Sequence, residues 1–165
     1  MLSSETAIGK YPVETVETTN KIIDEIENEI DYNDLLLDFS RKDKLQVQDA
    51  ICYSVVDCAN RVNASAIICS TISGKTAKTI SHFRPSSSVI AVSPDEKTVS
   101  SLTINYGIIP VKVPMIDTTD EIIKVSVEAA KDKLKLEAKD KVVIAGSFPS
   151  DKVDYTNFMK IEEIK

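Results

Sequence analysis

The stretch Ala66-Ile-Ile-Cys-Ser-Thr-Ile-Ser-Gly-Lys-Thr-Ala-Lys-Thr-Ile-Ser-His-Phe83 has the form of a strand, a turn and a helix, and it is the first place to look for function. It opens on a short apolar run, Ala66 to Cys69, bounded by hydroxyl residues, which reads as a buried strand over 66–70. It closes on Ala77, Ile80 and Phe83, apolar positions at helical spacing, so a helix is expected over 74–83. Between the two lies Ser70-Thr-Ile-Ser-Gly-Lys-Thr76, a hydroxyl-rich turn with one Gly and one Lys. Such a turn leaves unpaired N–H groups at the start of a helix, where the helix dipole also favours negative charge. Thr71, Ser73, Gly74, Lys75 and Thr76 are therefore the candidate residues of a phosphate cradle. The alternative is a Ser-Gly-Lys that only starts a surface helix.

The charge pattern bears on that choice. The chain carries a formal net charge of -6. Yet no Asp or Glu occurs from Cys58 to Pro94, while Arg61, Lys75, Lys78 and Arg84 fall inside that window. An acid-free basic island in an acidic chain suits a local anion site. It does not suit nucleic acid, which needs a larger basic face. A length of 165 residues with 42% apolar content fits one domain and one core, with room for an appendage. No run of 18 or more apolar residues is present, so no membrane span is expected. The start, Met1-Leu-Ser-Ser-Glu-Thr, lacks the features of a signal peptide. Cys52, Cys58 and Cys69 sit in apolar patterns without zinc or disulfide spacing, which suggests reduced core residues in a cytoplasmic protein. Cys69, beside the turn, is the one candidate for a reactive thiol.

Outward from this stretch, Pro12 opens a helix to about Ile30, with Val13, Val16, Ile22, Ile23, Ile26 and Ile30 as its apolar stripe. Residues 1–11 read as irregular and 31–44 as a linker docked through Leu35-Leu-Leu37. Val47, Ile51, Val55, Cys58 and Val62 mark a helix from about Leu45 to Arg61. Val89 to Val92 is a second buried strand. Ser93-Pro-Asp-Glu96 has the form of a capping box, with Ser93 as the cap and Pro94 first in the helix. Ile108 to Val113 is a third strand, placed at an edge by Pro110. Thr118-Thr-Asp-Glu121 repeats the capping pattern before a helix over 119–134. Val142 to Ala145 is a fourth strand, and Phe158 to Ile164 a last one. Strands alternating with helices imply parallel pairing and right-handed crossovers. A loop of about ten residues is short for a parallel crossover, so the last strand is expected antiparallel at an edge. The fold class is thus an α/β/α three-layer sandwich with a mostly parallel five-stranded sheet. If the first and fourth strands are neighbours, the loops after them share one end of the sheet.

Other chemistries find little support. A P-loop needs a Gly five residues before Gly74, and that position is Cys69. A dinucleotide turn needs three glycines, and only Gly74 is there. His82, the single histidine, fits a surface helix position, and no Ser or Cys has a histidine partner in a recognisable motif. Asp117, Asp120 and Glu121 fit acids at a helix start better than metal ligands. Neither a catalytic nor a metal constellation is visible.

Several segments together resemble the carboxyl-terminal part of the pyruvate kinase family. Met1-Leu-Ser-Ser-Glu-Thr-Ala-Ile-Gly-Lys-Tyr-Pro-Val-Glu14 is similar to the family's MLSGETAxGxYPxE. Thr71-Ile-Ser-Gly-Lys-Thr-Ala77 is similar to its TxSGR(S/T)A loop, and Phe83-Arg-Pro85 to its (Y/F)RP. Ile90-Ala-Val-Ser-Pro-Asp-Glu96, Gly107-Ile-Ile-Pro110 and Tyr155-Thr-Asn157 follow in family order. The resemblance implies an effector-binding domain that also forms one interface of a homotetramer. Its ligand would be a sugar phosphate or a nucleotide monophosphate, held at the 70–76 loop. The domain division implied is 1–30, the end of the catalytic barrel; 31–44, a linker; and 45–165, the α/β domain. Magnesium and potassium belong to the family's barrel, so no cofactor is expected on this chain. It reads as a piece of a pyruvate kinase, or a product starting at an internal Met, without activity of its own. The alternative is a free-standing phosphate-binding α/β protein or enzyme that reuses the domain. Three departures stand out. Ser4 replaces a Gly, and Lys75 replaces an Arg, which keeps the charge but loses the bidentate fork. The loop 146–155 lacks the family's tryptophan-arginine pair and carries Asp151 and Asp154, which would repel a second phosphate.

Overall fold

The computed structural model describes residues 2–40, 45–116, 118–148 and 155–165. It divides into two compact units, Met1–Asp31 and Tyr32–Lys165. The first holds a single helical turn, α1 (Ser4–Ala7), and a longer helix, α2 (Pro12–Asn28). The turn corrects the irregular reading of residues 1–11: Ser3 caps it with its carbonyl, which accepts the Thr6 hydroxyl (2.9 Å) and the Ala7 N–H (3.1 Å). Pro12 takes the first position of α2, where its missing N–H costs nothing. The stripe Val13, Val16, Ile22, Ile23 and Ile26 stays exposed.

The second unit is built on a five-stranded sheet. Its strands are β1 (Ala66–Ser70), β2 (Ser88–Ser93), β3 (Ile108–Lys112), β4 (Lys141–Gly146) and β5 (Phe158–Glu163). Their order is β3-β2-β1-β4-β5. The first four are parallel, with Ala66 level with Ser88 on one side and Val142 on the other. β5 runs antiparallel to β4 at the edge, as the short loop requires. The helices are α3 (Tyr32–Ser40), α4 (Val47–Val62), α5 (Lys75–His82), α6 (Glu96–Leu102) and α7 (Thr119–Leu134).

Side chains alternate across the strands and divide the core in two. Ile67, Cys69, Val89, Ala91, Val143 and Ala145 face Cys52, Val55, Val56 and Ala59 of α4 and Ala77 and Ile80 of α5. Ala66, Ile68, Ile90, Val92, Val142 and Ile144 face Ile122, Val127 and Ala130 of α7. Because both faces are covered, the central strands read as unbroken apolar runs rather than alternating ones. The result is the expected three-layer sandwich.

Two local readings change. The segment read as a linker forms α3 over Tyr32–Ser40, and Leu36 is buried at 3% exposure while Leu37 is exposed. Leu36 docks, whereas Leu37 does not. The rest of that segment, 41–44, lies outside the described residues. The cap of α6 is Asp95, whose carboxylate accepts the Thr98 N–H at 2.8 Å. Ser93 instead finishes β2, where its carbonyl accepts the Val113 N–H, and its hydroxyl accepts the Asp95 N–H. At the start of α7, Thr118 is the cap, but its side chain makes no bond to the backbone. Asp117 lies outside the described residues.

Candidate functional site

From β1 the chain winds outward through β2 to β3, then returns to place β4 on the other side of β1. The strand order therefore reverses between β1 and β4, and the crevice of such a sheet opens at the carboxyl ends of those strands. The 70–76 turn sits there. Gly146, at the end of β4, is close by: a Cβ built on it would lie 3.7 Å from the Ser70 carbonyl oxygen.

The turn is closed from within. The Thr71 N–H extends the ladder to the Val92 carbonyl (3.0 Å), and its hydroxyl accepts the Gly74 N–H at 3.0 Å. Gly74 caps α5 in the left-handed conformation, with φ +80°, which suits a residue without a Cβ. It also lies against α6: a Cβ there would meet Leu102 Cδ2 and Thr98 Cγ2 at 3.3 Å. Lacking a side chain, Gly74 caps none of the N–H groups of the first turn of α5. The first helical bond is Lys78 N–H to the Gly74 carbonyl, so the N–H groups of Lys75, Thr76 and Ala77 have no acceptor within the helix.

The five predicted residues share one turn but not one orientation. Ser73 and Lys75 are exposed, while Thr71 and Thr76 are buried. Thr76 Oγ1 lies 2.8 Å from Thr156 Oγ1, and Thr156 is wholly buried. The outward donors are thus Ser73, the Lys75 ammonium and the backbone N–H groups. The basic island is narrower than its sequence suggests. Arg61 pairs with Asp57 at 2.8 Å, and the Arg84 guanidinium stacks 4.2 Å from the Tyr106 ring centre. Lys78 and His82 line a separate cavity of about 620 Å³ with Asp49, Thr79 and Phe83.

Thr156 and Asn157 are the residues missed by reasoning from the turn alone. Asn157 accepts the Phe148 N–H at 2.8 Å and donates to the Phe148 carbonyl at 2.7 Å, which fastens both stems of the loop after β4. Their only sequence signal is the Thr-Asn pair of the family motif. Asp151 and Asp154 lie outside the described residues.

The thiols are not activated. All three cysteines are free. Burial pushes the Cys52 thiol up to about 11, although the nearby Thr156 hydroxyl acts to lower it. Burial also raises Cys69, fully enclosed, and Cys58. A thiolate at Cys69 is therefore disfavoured. Among the described residues no three His, Cys, Asp or Glu side chains are grouped to hold a metal ion. No helix among them is long and apolar enough to cross a membrane.

Fold and turn together define a doubly wound α/β domain with an uncapped helix start at its switch point. The profile of the family described as "Pyruvate kinase, alpha/beta domain" matches residues 49–162, and the chain belongs to that family. It is 38% identical over 165 residues to the pyruvate kinase of Clostridium acetobutylicum, covering 100% of this chain and 35% of that protein. It is 35% identical over 164 residues to that of Geobacillus stearothermophilus, covering 99% of this chain and 28% of the other. The crystal structure of a pyruvate kinase from Cryptosporidium parvum superposes with a TM-score of 0.87 at 30% identity, covering 100% of this chain and 33% of that one. The chain therefore spans about a third of the length of these relatives.

Proposed function

We propose that this chain is the effector-binding and assembly domain of a pyruvate kinase, the enzyme that moves a phosphoryl group from phosphoenolpyruvate to ADP. In this reading the first 30 residues are the end of the catalytic barrel, and the α/β domain follows. Magnesium and potassium serve the barrel. The chain alone is inactive, because phosphoryl transfer relies on metals and cations positioned around the phosphates. The protein works in the cytoplasm as a homo-oligomer. The ligand is a phosphorylated metabolite, a sugar phosphate or a nucleotide monophosphate.

The observation that carries this is the turn at the switch point, with an uncapped α5 and with Ser73 and Lys75 turned outward. Lys75 supplies a charge-assisted contact of about 1.5–3 kcal/mol. A glutamate there removes the contact and adds repulsion. Titration calorimetry of the purified chain with inorganic phosphate, a hexose monophosphate and AMP decides the matter. Binding of at least one ligand by the parent and none by Lys75→Glu, with unchanged circular dichroism, is expected. Equal binding by the two proteins would reduce the turn to a helix start. Pyruvate formed from phosphoenolpyruvate and ADP by the pure chain would refute the inactive reading.

A further inference from the structure

The contact between Thr76 and Thr156 joins distant parts of the chain. Its two oxygens are 2.8 Å apart and both residues are buried. One contact thus joins the first turn of α5 to the entry to β5. Thr156 is itself held in place. The Asn157 N–H that follows it donates to the Gly146 carbonyl at the end of β4 (3.1 Å), and the Asn157 side chain grips Phe148.

Packing alone does not require two threonines here. Valine has nearly the same shape, and replacing both partners of a buried hydrogen bond by apolar groups of the same shape can be nearly neutral. What valine lacks is a directional bond. Thr76 is the second residue of α5, and its N–H is one of the three that open on the turn. A bond fixing its side chain fixes the aim of those donors.

We propose that Thr156 is a positioning residue for the anion cradle. Its hydroxyl holds Thr76, sets the first turn of α5, and so ties the carboxyl end of β4 to the carboxyl end of β1. The inference rests on the cradle reading above and specifies what shapes that site.

The test compares the parent with Thr156→Ser and with the double variant Thr76→Val, Thr156→Val. Amide exchange by NMR is read without ligand, and phosphate binding by calorimetry. The double variant is expected to keep its melting temperature within about 3 °C. Its Gly74 and Lys78 amide protons should exchange about tenfold faster or more. Its affinity for inorganic phosphate should fall about fivefold or more. Thr156→Ser, which keeps the hydroxyl, should match the parent in exchange and in binding. Unchanged exchange in the double variant overturns the proposal. So does a melting temperature lower by about 10 °C or more, which would make the pair a stability element. Equal phosphate affinity in parent and double variant overturns it while leaving the cradle standing. Faster exchange in a parent–variant pair that never binds phosphate has the opposite meaning: it removes the cradle and supports the hold of Thr156 on the turn.

Discussion

Replacing Gly74 by alanine separates two costs that the structure places on one atom. The first is conformational. Gly74 has φ +80°, and a residue with a Cβ loses about 1–2 kcal/mol in the left-handed region. Alanine recovers about 0.4–1 kcal/mol by restricting the unfolded chain. The net conformational cost is therefore about 1 kcal/mol. The second is steric. The new methyl would lie 3.3 Å from Leu102 Cδ2 and from Thr98 Cγ2, a few tenths of an ångström too close. Overpacking costs about 1–3 kcal/mol, and a shortfall this small against two methyl groups belongs at the lower end. Gly74→Ala should thus cost about 2 kcal/mol. Gly107 is an internal control. It has φ +65° but nothing within 4 Å of a built Cβ, so Gly107→Ala should cost only the conformational part. In urea, with an m-value of about 2 kcal/mol per molar, the two midpoints should differ by roughly 0.5 M. Far-UV circular dichroism follows the transition. A Gly74→Ala midpoint equal to or above that of Gly107→Ala would refute the packing of the turn on α6.

Two further outcomes follow from single carboxylates. Asp95→Ala removes the acceptor of the Thr98 N–H and should lower the melting temperature, whereas Asp95→Asn should retain most of it; equal loss in both would mean that Asp95 does not act as a cap. The Asp140 carboxyl is held below its ordinary range, first by the Glu137 N–H and then by the Ser65 hydroxyl. A depressed acid stabilises the fold above its unfolded pKa, near 4, and loses that contribution as pH falls through the lower folded value. Below about pH 4 the parent should therefore lose stability more steeply than Asp140→Asn, and parallel acid limbs would contradict this.

The sheet was legible because its physics is repeated along the chain. Ile67-Ile68, Val89 to Val92 and Val142 to Ala145 are covered on both faces and announce themselves as apolar runs. Pro110 and the short loop before β5 placed the two edges. The α3 helix was hidden because α3 buries its Leu36 while Leu37 stays exposed, so helical spacing is masked by three consecutive leucines. At Ser93-Pro-Asp95 two residues were able to cap, and only the register of β2 with β3 shows that Ser93 belongs to the strand. In the turn, the sequence told which residues come together but not which way they face. The orientation of Thr76 is fixed by Thr156, eighty positions away, with no local signal. The basic island looked broader than it is because its acid-free window begins one residue after Asp57, the partner of Arg61.

The two rims of the sheet are not equivalent. The Val113 N–H points inward to Ser93, so by alternation the Pro110 nitrogen faces outward and offers no hydrogen at its position on that rim. β5, on the far side, retains its donors and exposes Met159 and Ile161. A second copy meeting β5 strand to strand would leave a proline-blunted β3 on both outer sides of the joined sheet. Further growth along the hydrogen-bonding direction would then meet a proline at each outer rim, where one ladder bond cannot form.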